Sequence, residues 1–144
     1  MSAARHRLTG RLTVALPPDE AFRLFTARGE QAWVPRWEPH FPAAVTDDAE
    51  PGTVFQTHAH DETTTWIVVD STPGRHIRYA RVTPNTSAGT VTVTLTESGD
   101  HTEVAVTYEL TALTETAADD LSRFADDYPT FLTTWQTAIA EASS

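Results

Sequence analysis

The chain has 144 residues, with 20 acidic against 10 basic side chains for a formal charge of −10, and no cysteine. That length fits one domain with a sizeable core; the missing cysteines exclude disulfides, thiolate metal sites and a cysteine nucleophile; and the acidic balance argues against nucleic acid or an anionic membrane as partner. No apolar run approaches the roughly 20 residues that cross a bilayer, and the polar opening MSAARHR has no apolar signal core after it, so a cytoplasmic protein is expected.

Residues 8–16 alternate, with Leu8, Gly10, Leu12, Val14 and Leu16 on one side and Thr9, Arg11, Thr13 and Ala15 on the other, which predicts a first strand. Pro17, Pro18 and Asp19 stop it and open a short helix carrying Ala21, Phe22, Leu24 and Phe25, because proline suits a first helical turn and an acid suits the positive end of the dipole. Thr26 can cap a second short helix reaching about Trp33, ended by Pro35. Residues 33–42, WVPRWEPHFP, are dense in rings and prolines without a period; such a segment either plugs the end of a core or forms a lid over a pocket mouth.

A brief strand is expected at 43–46, followed by strands at 53–60, 64–70, 75–82, 89–96 and 103–111. The turns between them fall at Asp61 and Glu62, at Thr72, Pro73 and Gly74, at PNTS (84–87), and at Ser98, Gly99 and Asp100. Each strand has one dry and one wet face, as in an antiparallel sheet covered on one side. In residues 114–142, Ala117, Leu121, Phe124, Tyr128, Phe131, Trp135 and Ile139 recur at steps of three or four and form one helical stripe. Pro129 lacks an N–H and frees the carbonyl of Ala125. One long helix bent there is the expected form, with two helices broken at Tyr128 as the alternative.

The whole reads as an α+β helix-grip fold: a seven-stranded curved antiparallel sheet around a long C-terminal helix, with two short helices after the first strand. A single helix is narrower than such a sheet, and a ligand pocket can form in the space left over.

The order of elements resembles the START-like or Bet v 1-like (SRPBCC) superfamily. The residues that carry the likeness are PPDEAFRLFT at 17–26, Trp33 and Trp37, PGT at 51–53, PGRHIRY at 73–79 and the aromatic final helix. The chain is most similar to the bacterial branches of polyketide cyclase/dehydrases and of Hsp90-activator-like domains. The resemblance spans nearly the whole chain and implies an internal pocket between sheet and helix. That superfamily includes lipid carriers, hormone receptors, aromatase/cyclases and ribonuclease-like allergens, and it has no shared catalytic motif, so it assigns no catalytic residue.

Among residues that could carry chemistry, His58 and His60 would share a face if both lie on a strand, with Asp61 and Glu62 just beyond. They would hold a metal only with a third ligand such as His40 or His76. No metal site is expected; one of the two could instead be a general base, or both could be exposed at a pocket rim. Arg81 falls on the face of Ile77 and Tyr79, where a buried guanidinium needs either an acid such as Asp70 or Glu109 or an anionic or carbonyl group of a ligand. Trp66 and Tyr108, mid-strand, serve as core or as a ligand platform. Phosphate loop, dinucleotide glycine pattern, nucleophile elbow and metalloprotease helix are all missing, and no cofactor is expected.

The resulting expectation is binding of a small hydrophobic or aromatic molecule in an internal cavity, by a monomer or homodimer. Trp33, Trp37, His58, His60, Trp66, Tyr79, Arg81, Tyr108, Phe124, Tyr128 and Trp135 are the candidate contacts. The alternatives are a cofactor-independent cyclase/dehydratase-type enzyme, with His58, His60 and Arg81 as catalytic candidates, and a co-chaperone-like module using the outer sheet face.

Overall fold

The computed structural model describes residues 5–143. Its strands are β1 (Arg5–Val14), β2 (Val54–Ala59), β3 (Glu62–Thr72), β4 (His76–Thr83), β5 (Ser87–Ser98) and β6 (His101–Ala112), all antiparallel in the order β1-β6-β5-β4-β3-β2. Consecutive hairpins build the sheet from β2 to β6, and the first strand then pairs with the last. Turn chemistry sets the hairpins: Gly74, Asn85 and Gly99 take positive φ values of 79°, 63° and 65°. The β2–β3 loop is tighter than the sequence suggests, because His60 and Asp61 form the turn, with φ of 51° and 65°, and Glu62 already pairs with Ala59.

The expected seventh strand at 43–46 is not formed. Pairing with the β2 edge shrinks to one bridge, in which His40 and Gln56 exchange two 2.8 Å hydrogen bonds. The next ladder position on that side is Pro42, which has no N–H to give, so the pairing cannot propagate.

The helices are α1 (Pro18–Arg23), a 3-10 turn over Gly29–Ala32, α2 (Glu115–Asp126) and α3 (Tyr128–Ala142). Proline opens α1 as expected, and the Thr26 hydroxyl accepts the Gly29 N–H at 3.1 Å. Thr114 caps α2, accepting the Ala117 N–H at 3.1 Å. The single bent helix is corrected to two: Pro129 lies in the first turn of α3, where a missing N–H costs nothing, and the chain breaks between Asp126 and Tyr128. Among the described residues no helix is long and apolar enough to cross a membrane.

The stripe faces the sheet as its period predicts, with Leu121, Tyr128 and Ile139 buried; Leu132, which the stripe omitted, is buried too. Helix α3 lies on β1, and α2 on β6 and β1. Gly10 on β1 makes this close approach possible, since a Cβ there would come within 2.5 Å of Leu132 Cδ1. The other half of the sheet is covered by the segment after the 3-10 turn, where Trp37 packs edge-on against Phe55 (6.1 Å) and Trp66 (5.7 Å). Between these two covers the concave face buries Phe55, Val68, Ile77, Val91, Val93, Val104 and Val106.

Candidate functional site

Strand register lays two adjacent rows across the concave floor. One runs Val68, Tyr79, Val91, Tyr108, Leu8; the next runs Trp66, Arg81, Gly89, Leu110, His6. In the second row Gly89 is required, because a Cβ would sit 1.9 Å from the Glu109 carbonyl oxygen.

A recess of about 330 Å³ opens over this floor beneath α2, lined by Arg81, Thr86, Ser87, Tyr108, Leu110, Ala117, Asp120, Leu121, Phe124 and Phe131. A second, of about 630 Å³, lies between residues 34–37 and the β2–β3 hairpin, lined by Val34, Pro35, Arg36, Trp37, Thr57, His58, Ala59, His60, Thr64, Trp66 and again Arg81. Arg81 is therefore the wall common to both.

Among the described residues Arg81 has no acid beside it. The two expected partners are engaged elsewhere: Asp70 with His76 at 2.8 Å and Glu109 with Arg7 at 3.1 Å. The guanidinium instead lies over the Trp66 ring, 4.7 Å from its centroid, and reaches the Thr83 hydroxyl only at 3.5 Å. Its Nε is buried without a partner. Burial holds the group below the ordinary arginine range, opposed by the neighbouring Tyr108, and it remains a cation.

The three tyrosines divide by what their hydroxyls do. Tyr79 donates to the Phe25 carbonyl at 2.7 Å and Tyr128 to that of Val106 at 2.7 Å, so both are tied to the framework. The Tyr108 hydroxyl makes no such bond among the described residues. Burial pushes its phenol up, Arg81 opposes this and Glu30 adds to it.

Glu30, on the 3-10 turn, was not singled out from the sequence. Burial alone pushes its carboxyl well above the ordinary carboxylate range, and its field reaches both Tyr79 and Tyr108. A lone Glu in a short irregular helix has no sequence signal; only the fold turns it inward.

The residue range 5–141 matches the family model described as polyketide cyclase / dehydrase and lipid transport. The chain belongs to that family. No curated protein matches it in sequence. Its fold is similar to that of protein MLL2253 from Mesorhizobium loti (14% identity, TM-score 0.70, covering 94% of this chain and 98% of that one). It is also similar to the Aha1 dimer from Colwellia psychrerythraea (14%, 0.64, 93% and 96%). A further likeness is to DynU16, described as belonging to the dynemicin biosynthetic locus (16%, 0.63, 91% and 46%).

Within this member of the family the expected contacts fall into three groups. Arg81, Tyr108 and Phe124 line the first recess, and Trp37, His58, His60 and Trp66 join Arg81 around the second. Trp33, Tyr79, Tyr128 and Trp135 pack behind them. The Trp33 Nε1 donates to the Leu24 carbonyl at 2.7 Å while its ring meets Phe25 (5.8 Å) and Trp135 (5.1 Å), which makes it a plug. Trp37 is anchored likewise, donating to the Ala27 carbonyl at 2.6 Å.

The shared face expected for His58 and His60 does not form. His58 is in step with exposed Val54, opposite buried Phe55, and its Nδ1 meets the Thr63 hydroxyl at 2.8 Å. His60 has left the strand for the turn. Among the described residues no group of three or more His, Asp or Glu side chains is placed to hold a metal ion.

Proposed function

We propose that the chain binds a small, mostly apolar molecule in the recess between the sheet and α2, with its polar end at Arg81 and Tyr108. The observation that carries this reading is Arg81, which has no carboxylate beside it among the described residues and whose buried Nε has no hydrogen-bond partner. A half-buried guanidinium without an acid leaves donors unsatisfied, at a cost of about 1–3 kcal/mol, and a ligand oxygen would relieve it. Leu110, Leu121, Phe124 and Phe131 offer the apolar walls, and a recess of about 330 Å³ is at the small end of the usual ligand-pocket range.

Glu30 favours a second reading, a cofactor-independent cyclase or dehydratase. A carboxyl whose pKa is raised by burial suits general acid work, Arg81 can stabilise an enolate oxygen, and Tyr108 lies within the field of both. The interaction-module reading has Val54, Ile67, Val69 and Val82 on the outer face but leaves the open interior without a role.

Native mass spectrometry of the gently purified protein, followed by tryptophan-fluorescence titration of stripped protein with 2-naphthol, tests binding. One-to-one binding that is lost in Leu121→Trp, which fills the recess, supports the reading. Absence of both a retained compound and saturable binding overturns it. Steady conversion of an aryl 1,3-diketone, lost in Glu30→Gln, would place the chain with the enzymes.

A further inference from the structure

The binding proposal needs only one recess, yet Arg81 faces two. The second is lined by Arg36, Trp37, His60, Thr64 and Trp66 beside Arg81, and no carboxylate lines it. In a chain whose acids outnumber its bases two to one, 20 to 10, a recess with two arginines and no acid is a local exception. The one carboxylate lining the first recess, Asp120, is taken up by Arg123 on α2.

We propose that the second recess is an anion site: it receives the carboxylate or phosphate-monoester head of an amphiphile whose apolar body fills the first recess. This inference rests on the binding reading above and assigns the chemical class of its ligand. Three features support it. Trp66 holds the guanidinium from one face, 4.7 Å from the ring centroid, which fixes its plane while leaving its edge free. Among the described residues that edge has one hydrogen-bond contact, the long one to Thr83, and Nε is orphaned. A planar fork of N–H donors matches two oxygens of a carboxylate or phosphate better than a single carbonyl oxygen.

Arg36 supplies the second charge at the mouth. It is exposed and sits at φ 60°, a conformation that non-glycine residues seldom adopt without reason. Its segment is anchored by the Trp37 bond to Ala27. As a rim charge it adds less than Arg81 and adds more for a dianion.

The test uses chain-matched probes, 6-phenylhexanoic acid, 6-phenylhexanamide and 6-phenylhexyl phosphate, titrated calorimetrically into wild type, Arg81→Met and Arg36→Gln. In wild type the acid binds about tenfold or more tighter than the amide. Arg81→Met weakens the acid about tenfold more than it weakens the amide and so abolishes that preference, and Arg36→Gln weakens the phosphate more than the acid. The stronger of the two anions in wild type identifies the head group. Equal affinities of acid and amide in wild type overturn the anion site yet leave the apolar recess standing; no binding by any of the three overturns both. Should Arg81→Met fail to fold, the wild-type ratio and Arg36→Gln still decide the matter.

Discussion

Replacing Glu30 by Gln keeps the shape of the side chain and removes its proton equilibrium. Burial holds the native carboxyl well above its ordinary range, so in the window from that range upward the folded chain keeps a proton that the unfolded chain releases. Under linkage, stability falls with rising pH wherever the native state binds more protons. The contribution is fully present below the unfolded pKa and is lost as pH climbs toward the folded one. One proton sets the ceiling on the slope at about 1.4 kcal/mol per pH unit. Urea denaturation of wild type and Glu30→Gln at intervals from pH 4 to 8 measures the difference, with every other titrating group, Asp48 and the buried tyrosines included, common to both proteins. The two should be close at the acid end, with the variant gaining on wild type as pH rises. Curves that run parallel across the range would refute a raised pKa at Glu30.

Other outcomes follow from single contacts. Tyr128→Phe removes the bond to the Val106 carbonyl and should cost about 1–3 kcal/mol by leaving a buried acceptor unpaired. Tyr108→Phe, which removes a hydroxyl with no hydrogen-bond partner among the described residues, should leave the denaturation midpoint nearly unchanged but weaken binding of an oxygen-bearing probe several-fold. Gly10→Val drives branched carbons into Leu132 and should lower stability by roughly 1–3 kcal/mol through overpacking, seen as a drop in Tm. Thr114→Ala deletes the cap on α2 and should cost about 1 kcal/mol in urea unfolding.

The sheet and the helical stripe were legible because they rest on periodicity: Val104, Val106, Tyr108 and Leu110 alternate, and all four are buried. Arg81 was placed on the concave face by the same argument, from Ile77 and Tyr79. What failed was local. Pro42 stops a strand whose composition looks extended, Pro129 opens a helix where a bend was expected, and positive φ at His60 ends the alternation that would have aligned it with His58. The expected acid partners of Arg81 fail on register: Arg81 shares its row with Trp66 and Leu110, whereas Asp70 pairs with Arg78 and Glu109 with Thr90 on the outer face, where the two acids meet His76 and Arg7. Glu30 was missed because inward direction on an isolated turn depends on the whole fold.

The most direct measurement of the central claim is a methyl-resolved NMR titration with 6-phenylhexanoic acid, with leucine, valine and isoleucine methyls labelled. Shifts should gather on Leu110 and Leu121, over the concave floor, and spare Val54, Ile67, Val69 and Val82 on the outer face. Saturable shifts confined to the outer face, or none at saturating probe, would contradict the account.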